Sequence, residues 1–145
     1  MNAPRRTRLL QLRWAGALLL AQGVLMEATV FVGLLVLLAL GVPQNAVTER
    51  AQIFALPYLN DNLYLMMAMS GIFATLRILG AVGLLRNRAW ALALSLANCA
   101  VTLTLMIFLL PAGLVDGALS GTALVLILLS WLGSDDGGAP RQVVR

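Results

Sequence analysis

Four apolar runs, at about residues 14–42, 62–85, 89–110 and 113–132, fill most of this 145-residue chain and contain almost no charge. A helix of roughly 20 such residues, rising about 1.5 Å each, crosses a hydrocarbon core about 30 Å thick. In lipid the backbone has no water to bond, so each run has to satisfy its own amides, and a helix does so within one segment. The expected fold is therefore all-α, a polytopic membrane protein built as a four-transmembrane-helix bundle. Composition points the same way, with 61% hydrophobic and 11% charged residues, far from the usual soluble balance. The implied organisation is a basic cytoplasmic segment over 1–13, a membrane domain over 14–132 and a cytoplasmic tail over 133–145.

The first run follows "PRRTRLLQLR", which has the charge of a secretory n-region. It is about twice as long as a signal h-region and lacks a small-x-small cleavage pattern before the polar loop, so a retained first helix is expected.

Arginine placement gives an orientation. Arg5, Arg6, Arg8 and Arg13 precede span 1, Arg86 and Arg88 lie between spans 2 and 3, and Arg141 and Arg145 follow span 4, against Arg50 alone on the other side. The positive-inside rule then places both termini in the cytoplasm, N-in and C-in. Trp14, Trp90 and Trp131 fall at the expected cytoplasmic ends and Tyr58 and Tyr64 near the outer one, as headgroup-level anchors should. The net charge of +4 reads as topology and attraction to anionic lipid. No nucleic-acid partner is expected, because no basic stripe is interleaved with base-stacking aromatics.

Much chemistry is excluded at this level. The chain has no histidine, which removes His-based triads, His haem ligation and His-containing metal sites. Cys99 is the single cysteine, placed mid-span, and is expected to pack. The glycines of "RILGAVGLL" lie inside a span and read as packing glycines rather than a phosphate loop. Asp116 is expected to cap span 4, and Asp135 and Asp136 to lie in a solvated tail. No catalytic residue, metal or cofactor is implied, and no enzyme is expected.

Glu27, in "QGVLMEATVF", is the exception to the oily pattern. A charge at mid-bilayer costs about 2.5–3.5 kcal/mol on insertion scales, so a partner, a proton or a hydrated path has to accompany it. Arg77 in "FATLRILG" is the other ionised residue well inside a span. Counting about 1.5 Å per residue from the cytoplasmic ends leaves the two about 8 Å apart in depth, which a long arginine reaching along its helix would close. Asn98 lies level with Arg77 by the same count, and Thr102 follows one turn on. The expected intramembrane polar cluster is thus Glu27, Arg77, Asn98 and Thr102, with Gln22 and Ser120 able to add hydrogen bonds.

Small residues share faces with these groups: Gly16 and Gly23 with Glu27, Ser70, Ala74 and Ala81 with Arg77, Ala91 and Ser95 with Asn98. Gly113, Gly117 and Gly121 add a doubled G-x-x-x-G to span 4, a pattern that lets backbones approach closely. Two readings of the cluster stand: an ionic knot that fixes helix register, or a proton or cation site. A third leaves Arg77 snorkelling to the headgroups with Glu27 protonated and alone. The loop over 43–61 carries Ile53, Phe54, Leu56 and Leu59 among polar residues and reads as an interfacial segment broken at Pro57.

Two resemblances follow from these residues. The four-span layout with a solitary acid in span 1, "LMEATV", resembles the small multidrug resistance transporters, which implies a Glu27 shared between proton and cationic drug; that family's aromatic span 3 pattern is absent here. "GLLRNRAWALAL" followed by "GLVDGALSGTALVLILL" is similar to small uncharacterised bacterial four-helix membrane proteins, which implies no activity. Exclusive use of arginine over lysine fits a GC-rich bacterial genome and hence the bacterial cytoplasmic (inner) membrane. The expected function is a structural or accessory bundle whose partners are the lipid bilayer and either a second copy or an unlike membrane subunit; the alternative is a small proton-linked transporter or channel using Glu27.

Overall fold

The computed structural model describes residues 3–50, 56–108 and 113–132, with side chains described from residue 9 onward. Expectations for Ile53 and Phe54, for the tail with Asp135, Asp136, Arg141 and Arg145, and for the side chains of Arg5, Arg6 and Arg8 lie outside the described residues. All elements among the described residues are helical.

One continuous helical rod begins the chain. It runs as α1 (Ala3–Gln22), a π-helical segment (Gly23–Ala28) and α2 (Thr29–Ala39). Two short helices follow, α3 (Gln44–Thr48) and α4 (Pro57–Asp61), then three long ones, α5 (Leu63–Leu85), α6 (Ala89–Met106) and α7 (Gly113–Leu132). Four stretches are long and apolar enough to cross a membrane: Leu9–Ala39, Leu63–Leu85, Ala89–Met106 and Gly113–Leu132. The first has 31 residues, about 46 Å of helix, which exceeds a 30 Å core and demands tilt or protrusion. The helix also starts well before Trp14, carrying the arginine-rich segment into α1.

The turns have local causes. At the end of α2, Gly41 adopts φ 65° and the amides of Gly41 and Val42 bond to the carbonyls of Leu38 and Leu37, a Schellman closure. The same pair of bonds ends α5, from Asn87 to Leu84 and from Arg88 to Gly83, with Asn87 taking φ 55° where glycine is usual. The start of α5 is held from α3: Gln44 accepts from the Tyr64 amide at 3.0 Å and donates through Nε2 to the Asp61 carbonyl.

Packing is an up-down-up-down ring, α1 against α5, α5 against α6, α6 against α7 and α7 back against α1. Buried residues on α1 fall at Leu12, Ala15, Gly16, Leu19 and Gln22, the 3–4 spacing of one helix face, which Gly23 continues into the π-helical segment. Leu12, Ala15 and Leu19 meet Ala81 and Leu84 of α5, Ala91, Leu92 and Cys99 of α6, and Ala123 and Ile127 of α7 in one apolar core. The outer faces carry exposed Leu, Val and Ile, as lipid contact requires. Even the outward threonines have partners: Thr75, Thr104 and Thr122 donate to the carbonyl four residues back, so these hydroxyls do not face hydrocarbon unbonded.

Candidate functional site

The π-helical segment gives this site its shape. In a π turn each hydrogen bond spans five residues instead of four, and the widened turn brings Gln22 and Glu27 toward one side of the rod; both are buried, at 1% and 9% exposure. The widened turn is visible in Thr29, whose hydroxyl donates to the Val24 carbonyl five residues earlier. Gly23 opens the segment where the rod presses on α5, its absent Cβ lying 3.5 Å from Arg77 Cβ and 3.6 Å from the Ala74 carbonyl oxygen.

Arg77 therefore leaves α5 at the level of Gly23, one turn short of Glu27. Side chains on a helix lean toward its N-terminus, and α5 runs opposite to α1, so Arg77 leans toward Glu27. The depth gap expected from counting closes in this way: Arg77 Nη1 is 2.8 Å from Glu27 Oε1. The same nitrogen is 3.0 Å from Asp116 Oδ1, and Nη2 donates to Thr102 Oγ1 at 2.5 Å. Arg77 is 1% exposed, the largest fully buried side chain among the described residues. The snorkelling alternative is thus not the arrangement seen.

Asp116 corrects the sequence reading. It was expected to cap span 4, but it sits inside the first turn of α7 and turns its carboxylate into the bundle, toward Arg77 and Gln22. Gln22 Nε2 donates to the Asp116 carboxylate, to the Asp116 carbonyl at 2.9 Å and to Ser120 Oγ at 2.9 Å. A carboxylate three residues into an apolar run looks like a cap from sequence, and the inward 3–4 spacing of Gly113, Asp116 or Gly117, and Ser120 was the signal that could have placed it. Asp116 is the least covered member, with its side chain 21% exposed against 11% for Glu27.

Asn98 is brought to the site differently from Thr102. A Cβ at Gly83 would meet Ala91 Cβ and one at Gly80 would fall 2.7 Å from Ser95 Oγ, so α5 and α6 approach closely along the face that carries Asn98. Asn98 is 6% exposed, yet neither its amide nitrogen nor its oxygen has a hydrogen-bond partner. Glu27 Oε2, Gln22 Oε1, Arg77 Nε and Ser95 Oγ share that condition. Three of these atoms belong to members of the ion network itself, Gln22, Glu27 and Arg77.

The helix-packing glycines divide by neighbour. Gly16 meets Leu85 and the Ala81 carbonyl, Gly117 meets Met106 and Gly121 meets Leu103, while Gly113 is buried. Gly80 and Gly83, the packing glycines of "RILGAVGLL", lie against α6, while Gly71, against the Phe31 ring, is a close-approach position missed in the sequence because it stands outside any G-x-x-x-G pair. Of the aromatics, Trp14, Trp90, Trp131 and Tyr58 are exposed, and Tyr64 donates its hydroxyl to the Val42 carbonyl at 2.7 Å, tying α5 to the end of α2. Antiparallel packing puts Trp14, Trp90 and Trp131 at one end of the bundle, together with Arg13, Arg86 and Arg88, and Arg50 at the other.

No protein-family model matches the chain, and no match was found among curated proteins or solved structures. The two resemblances therefore rest on the sequence features that carried them.

Proposed function

We propose that this multi-pass membrane bundle serves a structural or accessory role, with the Arg77 network as the device that holds its four spans in register. The observation that carries this reading is that one guanidinium is bonded by groups from three other spans, Glu27, Thr102 and Asp116. A buried pair is a poor source of net stability but a strict one of geometry, because any slip of a helix strands a charge in hydrocarbon. The orientation that fits this role is N-in and C-in, from the cluster of Arg13, Arg86 and Arg88 at one end, in a bacterial cytoplasmic membrane, with a second copy or an unlike subunit as partner. No catalytic chemistry is assigned.

A small proton-linked transporter or channel is the second reading. Two carboxylates facing one guanidinium favour it, since that count leaves a negative charge for a mobile cation to balance.

The test is a three-site mutant cycle in reversible unfolding, in mild detergent at neutral pH, with Glu27→Gln, Arg77→Gln and Asp116→Asn alone and combined. Under the structural reading Arg77→Gln is the worst single change, Arg77→Gln with Glu27→Gln recovers only part of the loss because Asp116 stays stranded, and the triple variant recovers most. Independent, additive effects at the three sites would remove the register role.

A further inference from the structure

We propose that the network holds one exchangeable proton, resident on Glu27 and present because Glu27 and Asp116 share a single arginine. This concerns what the knot binds, and it stands whether or not anything crosses the membrane.

The charge count is the first support. Around Arg77 Nη1 lie Glu27 Oε1 at 2.8 Å and Asp116 Oδ1 at 3.0 Å, from two different helices. The charged groups facing Glu27 among the described residues are Arg77 from α5 and Asp116 from α7; Cys99 of α6 lies in the apolar core, and α1, the π-helical segment and α2 bring no other. Two carboxylates and one guanidinium leave one negative charge in excess, in surroundings where an uncompensated charge is far more costly than in water.

Side-chain geometry is the second and independent support. Glu27 Oε2 is buried with no partner, whereas Asp116 Oδ1 is engaged by both Arg77 and Gln22. An ionised carboxylate in lipid would be expected to use both oxygens, and a protonated one leaves just such an oxygen outside the ion pair. One unpaired, fully buried acceptor stands on the same side of the rod for its hydroxyl, Gln22 Oε1. Asp116 is the better place for the charge that remains, because it lies in the first turn of α7, where the helix dipole favours an anion. Its partial exposure also gives the proton a way in from that end of the helix.

Infrared difference spectroscopy on the full-length protein in lipid nanodiscs tests this, reading the C=O stretch of a protonated carboxyl at neutral pH and its shift in D2O. The wild-type protein is expected to show one such band from a dry site. Glu27→Gln removes it, and so does Asp116→Asn, because either change leaves one carboxylate balanced by Arg77. A band that survives Asp116→Asn would mean that Glu27 is protonated by burial alone and would overturn the shared-charge origin. Absence of the band from the wild-type protein overturns the proposal without recourse to any variant. Carboxylate bands that instead move when sodium replaces choline in the buffer would also overturn it, in favour of a metal cation at the same place.

Discussion

The tryptophan-bearing end of the bundle and the layer around Arg77 are built from the same four helices and held by different forces. At the first, Leu12, Ala15, Leu19, Ala81, Leu84, Ala91 and Ile127 interlock with no polar atom among their side chains. At the second, Gln22, Glu27, Arg77, Thr102, Asp116 and Ser120 exchange directed bonds. Lipid tails are as apolar as leucine, so the first layer gains only from close fit. The second gains from pairing that lipid cannot offer, and its failure is abrupt because an unpaired charge finds no solvent. Fit tolerates small errors by degrees, whereas pairing does not.

The largest effect should therefore come from Arg77. Arg77→Gln strands the Asp116 carboxylate and removes the bonds to Glu27 and Thr102, and is expected to cost about 3–5 kcal/mol in reversible unfolding. Leu84→Ala, at a residue equally buried but in the apolar layer, should cost about 1–3 kcal/mol, at or below the range for soluble cores because no hydrophobic drive is lost. Equal costs for the two would erase the distinction between the layers. A larger cost for Leu84→Ala would reverse it.

How much of this was legible in the sequence follows the same division. The four spans were readable because length and apolarity alone decide them. The Glu27–Arg77 pairing was reachable from depth counting, since both are conspicuous against an apolar background. Asp116 was not, because it stands at the margin of its run, where a carboxylate has an ordinary capping role, and only the tertiary packing of α7 on α1 shows that it turns inward. The π-helical turn at Gly23–Ala28 was also invisible: no residue type requires it, and it arises where the rod both presses on α5 and presents two polar side chains to the interior. Asn98 is buried, as an inward-facing polar residue should be, but sequence gives no sign that its amide would lack a partner.

Close fit can itself be sharpened, at two glycines that read alike in sequence. At Gly83 a new Cβ would lie 2.3 Å from Ala91 Cβ and 3.0 Å from the Trp90 ring. Ala91 has no rotamer to change, so α5 and α6 would have to separate, and Gly83→Ala is expected to cost about 1–3 kcal/mol as overpacking does.

At Gly117 a new Cβ would lie closer still, 2.0 Å from Met106 Sδ and 2.7 Å from its Cε. The clashing atoms are the far end of a thioether with three rotatable bonds, which can swing aside while the helices keep their distance. Partly offsetting the remaining clash, alanine is about 0.8–1 kcal/mol the better helix former. Gly117→Ala should thus change stability by less than about 1 kcal/mol, and Gly117→Ala combined with Met106→Ala should lose even the clash. The nearer contact gives the smaller effect, because what matters at a packing seam is whether the neighbour is anchored. If Gly117→Ala proved as damaging as Gly83→Ala, Met106 would have to be pinned as firmly as a backbone-bound methyl, and the α6–α7 seam would rank with α5–α6 as a fixed spacing in the bundle.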